Sequence, residues 1–294
     1  MRVTNQMLAN HAIEGTQRNL DQLYALQEKI ASAKQIQRAS EDPAKMASVL
    51  DLHSVLQRLD TFSDVANSSQ TWLSENEQVF QQMEDLATKA NNLLLQASSD
   101  TLSESTKQTL GDSMQGLLDQ AMEAANTSSM GSYLFAGFQV KTQPFSIDPV
   151  THGVLYHGDD GAIQRAISPQ QTVQVNFNGQ DTFGALLSTL QQASSALHSQ
   201  DFSPVPGLIS DLQQATQTIQ TAHTLNGNRQ NQVDGALTSL SQSQLNLKGL
   251  LSAKEDTNVA EAMVALSTQQ TVYNSTLEVA QRAGSILTLF DLLR

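Results

Sequence analysis

Leu52, Leu59, Ala66, Leu73, Phe80, Ala87 and Leu94 recur at a strict spacing of seven residues, with Val55, Phe62, Ser69, Asn76, Met83, Ala90 and Ala97 beside them. This is the three–four alternation of a coiled-coil seam, and it predicts one helix of about 50 residues, roughly 75 Å long. Ser98-Ser99-Asp100 interrupts it. Thr101 or Ser103 then caps a second helix with the seam Leu110, Met114, Leu117, Ala121 and Ala124, ending at Asn126-Thr127-Ser128-Ser129. Helix signals return at Phe183, Leu187, Leu190 and Leu197 and stop at Ser203-Pro204-Val205-Pro206-Gly207. A second heptad ladder follows, Leu212, Ile219, Asn226, Val233, Leu240 and Leu247, beside Leu208, Ala215, Ala222, Ala236 and Leu250. Gly227 and Gly235 inside it each lower helix propensity by about 1 kcal/mol relative to Ala. A tertiary partner must hold this helix, and the first ladder is the obvious one.

Between the ladders the pattern changes period. Gly131-Ser132-Tyr133-Leu134-Phe135-Ala136-Gly137-Phe138 has β-type composition, and Val154-Leu155-Tyr156 runs into the turn cluster His157-Gly158-Asp159-Asp160-Gly161. Val173-Gln174-Val175-Asn176-Phe177 alternates apolar and polar residues ahead of the turn Asn178-Gly179. Both chain ends carry narrow apolar stripes: Ile13, Leu20, Leu23 and Ile30 at one, Val259, Met263, Leu266, Tyr273, Leu277 and Leu287 at the other. Helices of about 30–35 residues with one apolar face are marginal alone, so these are expected to pair with each other and with further copies. The expected fold is mainly α: a long antiparallel helical rod with paired terminal helices and a small β insertion at its tip. The divisions expected are a terminal assembly domain (1–43 and 255–294), a rod (44–139 and 183–254) and a separable β domain (140–182).

Composition narrows the function. With 16 Lys and Arg against 29 Asp and Glu, the 294-residue chain carries a net charge of −13, which argues against a nucleic-acid partner. No apolar run approaches the roughly 18 residues of a membrane span, and the first residues lack the apolar stretch of a signal peptide. The absence of cysteine excludes disulfides and thiolate metal sites. Aromatic residues make up only 5%, which suits helices with thin seams better than a large core. His152 and His157 with Asp148, Asp159 and Asp160 are the cluster that most suggests a metal, but their spacing matches no zinc pattern and fits ordinary turn chemistry. His11, His53, His198 and His223 read as solvated side chains. No nucleophile–base arrangement or phosphate loop appears, so neither catalysis nor a cofactor is expected. Ser69, Asn76 and Arg229 sit at seam positions, where a polar residue either sets register or marks a face open to solvent.

Several segments resemble the flagellin superfamily. Lys29-Ile30-Ala31-Ser32-Ala33-Lys34 followed by Arg38-Ala39-Ser40-Glu41-Asp42-Pro43 is similar to the flagellin amino-terminal signature, with Ala33 where the family usually has Gly. Leu225–Val233, which includes Arg229, and Asp256–Arg294 resemble flagellin carboxy-terminal segments. Within the superfamily, Met1–Met7, the block containing Tyr133, Phe135, Ala136 and Gly137, Pro144-Phe145 and Tyr156–Asp159 look more like the hook–filament junction proteins. The resemblance implies an extracellular, non-enzymatic flagellar adaptor that assembles as a ring between hook-associated protein 1 and flagellin, escorted before export by a dedicated chaperone. It also implies that Glu84 faces solvent, on the stretch that the innate immune receptor reads in flagellins. A filament-forming flagellin is the alternative, and a coiled-coil metal-binding protein or enzyme a more distant one.

Overall fold

The computed structural model describes the backbone of residues 2–98 and 104–292, and within it the side chains of residues 7, 10–98 and 105–282. Helix α1 (Arg2–Ser32) is followed by α2 (Pro43–Ala97) and α3 (Glu104–Ala125). Six short strands come next: β1 (Ser128–Ser129), β2 (Ser132–Tyr133), β3 (Phe145–Ile147), β4 (Val154–Tyr156), β5 (Gln164–Ser168) and β6 (Gln171–Gln174). A π-helical turn at Gln180–Gly184 leads into α4 (Ala185–His198), and α5 (Val205–Glu255) and α6 (Val259–Leu292) complete the order. The strands pair only with their neighbours, as three separate antiparallel hairpins β1–β2, β3–β4 and β5–β6. The mainly α class with a small β region is thus as the periodicity indicates. The chain divides into two compact units, one of residues 1–57 with 244–294 and one of 58–243.

In the unit of residues 58–243, α2 and α5 run antiparallel. Leu73 faces Asn226 and Gln230, while Glu84 faces His223. The seam of α2 is buried at every step from Ala66 through Ser69, Leu73, Asn76, Phe80, Met83, Ala87, Ala90 and Leu94 to Ala97. On α5, Leu208, Leu212, Ala215, Ile219, Asn226, Val233, Ala236 and Leu240 are buried opposite. A seam this narrow leaves the flanks of both helices open, and other elements cover them. Helices α3 and α4 pair with each other, Ser194 Oγ donating to Gln115 Oε1 (3.0 Å), and their residues Leu110, Met114, Leu190 and Leu197 join the same core. Gly111 allows the approach: a Cβ there would stand 3.0 Å from the His198 ring.

The β segment departs from expectation in two respects. The β5–β6 hairpin lies along α2 and α5 rather than at a tip: Ile167, Val173 and Val175 pack with Ala66, Leu73, Val233 and Ala236. Nor do the hairpins enclose a core of their own, since Phe145 and Phe177 are buried in the helical core. Two-stranded hairpins are marginal alone, so their apolar faces are satisfied by the helices instead. Phe80 is the meeting point. Its ring lies 5.1 Å from Phe177, 5.8 Å from Phe183 and 6.1 Å from Phe135, and Phe135 meets Phe183 edge-on at 4.8 Å.

In the unit of residues 1–57 and 244–294, Asp42 caps α2: its carboxylate accepts from Lys45 N (3.0 Å) and its carbonyl from Met46 N (3.0 Å), with Pro43 at the first helical position. Asn258 caps α6 in the same way, through Glu261 N. The link between α1 and α2 is tied to the link between α5 and α6 by Gln35 N to Glu255 O (2.7 Å) and Thr257 N to Ala33 O (2.8 Å). Ala33 sits there at φ +56°, in the left-handed region that favours glycine.

Two outcomes follow from this packing. Buried Phe145, Ile167, Val175 and Phe177 each contribute on the order of 2–5 kcal/mol, against a total stability of about 5–15 kcal/mol. A chain with Phe138 joined directly to Phe183 should therefore lose its cooperative melt by circular dichroism; a cooperative melt near the native Tm would restore the β segment as a separable domain. Ala33→Gly should remove a left-handed penalty of about 1–2 kcal/mol, offset by about 0.5–1 kcal/mol of glycine entropy, giving a small gain in the denaturant midpoint. A loss of stability would show that Ala33 is not strained.

Candidate functional site

The block that carries the family resemblance is stitched into the centre of the 58–243 unit by its own main chain. Phe135 is fully buried in the aromatic knot, and its carbonyl accepts from Gly179 N (3.1 Å) and Tyr156 Oη (2.9 Å). Burial raises the Tyr156 phenol above its ordinary value and keeps it a donor. The Ala136 carbonyl accepts from Asp159 N, and Asp159 Oδ1 accepts from Phe138 N (2.6 Å) and Gly161 N (2.9 Å). Between them Gly137 turns at φ +67°, where a Cβ would sit 2.1 Å from the Asp159 carbonyl oxygen. Tyr133 donates its amide to Val140 O, closing the loop at its base. The loop is a strut between the turn 157–161 and the turn at Asn178-Gly179.

That geometry also accounts for the carboxylates and histidines of the β segment. Asp148 caps its own turn through Val150 N (2.8 Å) and Thr151 N, hydrogen bonds that hold its carboxyl below the usual range. Asp160 accepts from Asn178, and the His157 ring meets Ser146 Oγ at 2.7 Å. Among the described residues no three His, Asp or Glu side chains converge as metal ligands.

The polar seam residues face the interior. Asn76 donates to Val175 O (2.9 Å), Asn226 to Leu73 O (3.0 Å) and Arg229 to Asn176 O (3.1 Å), with the guanidinium 4.4 Å above the Phe177 ring. Burial lowers the Arg229 pKa. Ser69 bonds back to Val65 O within its own helix. Each of the other three donates to the main chain of another segment, so they hold α2, α5 and the extended segment 175–177 after β6 in one register.

Beyond the local contact of His11 with Glu14 (3.9 Å), three histidines read from sequence as solvated have carboxylate partners far along the chain. His198 meets Asp112 (3.1 Å) and His53 meets Glu255 (3.3 Å). His223 is half-buried, with Nε2 2.6 Å from Glu77 Oε1 and Nδ1 2.8 Å from Glu84 Oε1. Glu84 is therefore turned towards α5, not out to solvent as expected. These pairs join positions 86 to 202 residues apart, which no local motif reveals.

Helices α1 and α6 pair antiparallel: Asn19 donates to Thr276 Oγ1 (2.8 Å) and Gln269 to Gln22 Oε1 (3.0 Å). Leu20, Leu23 and Ile30 of the amino-terminal stripe and Leu266, Tyr273 and Leu277 of the carboxy-terminal one are half-buried. Ile13 (55% exposed), Val259 (37%) and Met263 (56%) are not covered. At that level of α1 the paired face consists of Ala12, Gly15 and Thr16, where small side chains let the helices close and leave Ile13 to one side. The Leu287 side chain lies outside the described residues. Ser40 and Glu41 form the turn before the Asp42 cap, Glu41 N donating to Arg38 O.

The bacterial flagellin N-terminal helical region matches residues 3–140, a span that ends just beyond the Phe135–Gly137 strut. That span is just under half of the chain, and over it the chain is similar to flagellins. Over 189 residues, 64% of the chain, it is 25% identical to flagellar hook-associated protein 3 of Salmonella typhimurium and 24% identical to that of Escherichia coli. The match spans 58% of the length of these relatives. Among solved structures, FlgL of Bacillus cereus is similar with a TM-score of 0.61 and 23% identity, covering 69% of this chain and 99% of that one. FlgL of Xanthomonas campestris gives 0.63 and 17%, covering 68% and 99%. The chain thus shares the fold of these proteins, with the Phe135–Gly137 strut in its core.

Gly137→Ala places a Cβ against the Asp159 main chain and carries a left-handed penalty of about 1–3 kcal/mol before any clash is counted. It should lower the Tm markedly and perturb the Phe138 and Asp159 amides in a heteronuclear NMR spectrum. An unchanged Tm would mean that the strut is dispensable.

Proposed function

We propose that this protein is the non-enzymatic adaptor at the junction of hook and filament in the bacterial flagellum, forming a ring that meets hook-associated protein 1 on one side and flagellin on the other. The observation that carries the reading is the similarity to hook-associated protein 3, together with the flagellin N-terminal helical region at residues 3–140. The exposed apolar residues of the terminal helices support it. Met7, Ile13 and Tyr24 on α1 and Met263, Val264, Val272 and Val279 on α6 remain uncovered after the two helices pair. Such a surface seeks cover from further copies of the axial structure. In this reading the protein works outside the cell as part of the flagellum, and an export chaperone shields the α6 stripe beforehand by laying the amphipathic helix in a groove.

Seeded assembly separates the adaptor from a filament-forming flagellin. Labelled protein added to isolated hooks carrying hook-associated protein 1 should occupy a short zone and then stop, and flagellin added next should extend from it. Label along a growing filament would make the protein a filament subunit instead.

The two faces of α6 predict different phenotypes. Met263→Asp, on the uncovered face, should abolish ring assembly and weaken chaperone capture in a pull-down while leaving the Tm unchanged. Leu277→Asp puts a carboxylate on a half-buried position of the face that pairs with α1 and should disrupt the α1–α6 pair as well. Leu240→Asp, buried in the other unit, should lower the Tm and leave chaperone capture intact. Normal assembly and chaperone capture by Met263→Asp would remove the role assigned to the exposed stripe.

A further inference from the structure

The contact between α2 and α5 contains a charged device that the junction role does not use. Both ring nitrogens of His223 lie within hydrogen-bond distance of a carboxylate, Glu77 from one turn of α2 and Glu84 two turns further on. An ionised carboxylate only accepts, so each nitrogen must donate, and an imidazole donates from both nitrogens only when protonated. The ring also stacks on Phe80, 5.8 Å between centroids, which fixes its plane. Glu77 is shared: its other oxygen accepts from Asn226 Nδ2 (3.0 Å), and Gln81 donates to the oxygen that meets His223.

We propose that His223 is a doubly donating imidazolium clasp holding α5 to two points on α2 that lie two turns apart, and that loss of its proton loosens this helix pair. A neutral ring keeps one N–H, so one of the two carboxylates would then face a nitrogen lone pair across less than 3 Å, a repulsion relieved only by separation. The charges that act on the ring are those of Glu77 and Glu84. Helix α5 carries no other charged residue between Asp211 and Arg229, and Arg229 is engaged by Asn176 and Phe177. Of the remaining charged groups on this stretch of α2, Glu75 bonds Ser129, while Asp85 and Lys89 are exposed.

The direction of titration agrees. Burial alone would depress the His223 pKa, but the hydrogen bonds and charges of Glu77 and Glu84 outweigh it and raise the pKa above the ordinary value. For Glu77, burial is outweighed by the bonds from His223 and Asn226, and its pKa is lowered. A histidine raised on folding contributes its full stability below the unfolded value of about 6.5 and loses it as pH rises through the folded value. The lowered Glu77 contributes above its unfolded value of about 4.3 and fails as pH falls through its folded one. The clasp is therefore strongest in mildly acidic to neutral solution and opens on the alkaline side.

The test uses the full chain, with histidine ring resonances followed by NMR and thermal melts recorded from about pH 5 to 9. His223 should titrate above the ordinary histidine value of about 6.5, and the Tm difference between native protein and His223→Gln should be largest below about pH 6.5 and shrink by at least half by about pH 8.5. Glu84→Gln supplies an amide that donates to a neutral ring, so its melts should lose the alkaline decline. His198→Gln serves as the control for the other raised histidine. A His223 resonance that titrates at or below the ordinary histidine value of about 6.5 overturns the proposal, whether or not His223→Gln folds. Parallel melting curves for native protein and the folded His223→Gln variant overturn it equally.

Discussion

Two helices that face each other through a seam of two residues per heptad bury too little to hold themselves together, and the 58–243 unit is organised around that constraint. Its α2 seam includes Ala66, Ser69, Asn76, Ala87, Ala90 and Ala97 among its buried positions, so several steps contribute little or no apolar side chain. The shortfall is met by adding elements to the flanks. The α3–α4 pair covers one stretch, and the β5–β6 hairpin with the segment 175–177 that follows it covers another. Phe80 lies where these additions meet, with phenylalanines from three other segments around it. A few aromatic residues gathered at one crossing supply what thin seams elsewhere do not. This is why a chain poor in aromatics still has a dense centre.

The same crossing needs its register defined, because alanine and serine steps slide past one another at little cost. Asn76, Asn226 and Arg229 meet that need by donating to carbonyl oxygens of other segments. A one-step slip would strand these buried donors, and an unpaired buried polar group costs about 1–3 kcal/mol. The strut at Phe135–Gly137 works in the same manner with its own carbonyls and amides. Its sequence is restrictive because Gly137, Gly158, Gly161 and Gly179 all lie where a Cβ would overlap a neighbour by 2.1–2.6 Å separations.

Long periodic stretches were legible from sequence because period and burial coincide there: every predicted α2 seam residue from Ala66 to Ala97 is buried. The terminal stripes were less legible. A heptad spacing lists apolar residues on one side of a helix but does not say which edge of that side a single partner covers, so Leu266 and Leu277 are half-buried while Met263 and Val259 are exposed. The β segment was recognised as β, yet its alternation says only that Val173, Val175 and Phe177 need burial, not that helices would provide it. His223 was misread because its partners lie 139 and 146 residues away. The spacing of Glu77 and Glu84 on α2, seven residues and hence one face, was the signal that pointed to a cation opposite.

The two units differ in how much of their apolar surface they satisfy internally. In residues 58–243 the helical seams, hairpins and aromatic knot close on one another, and many side chains there are fully buried. In residues 1–57 and 244–294 the buried apolar side chains among the described residues are Ile36 in the α1–α2 link and Val49 and Leu56 on α2, none of them on α1 or α6. That pair is joined by half-buried side chains such as Leu20, Leu23, Leu266 and Leu277 and by Asn19, Gln22, Gln269 and Thr276, polar contacts that orient two helices while contributing modestly to their association. Helices joined this way hold an alignment but not a core. Their stability must rise with the number of copies available to cover Val264 and Val279, so for this unit folding and assembly draw on the same apolar surface.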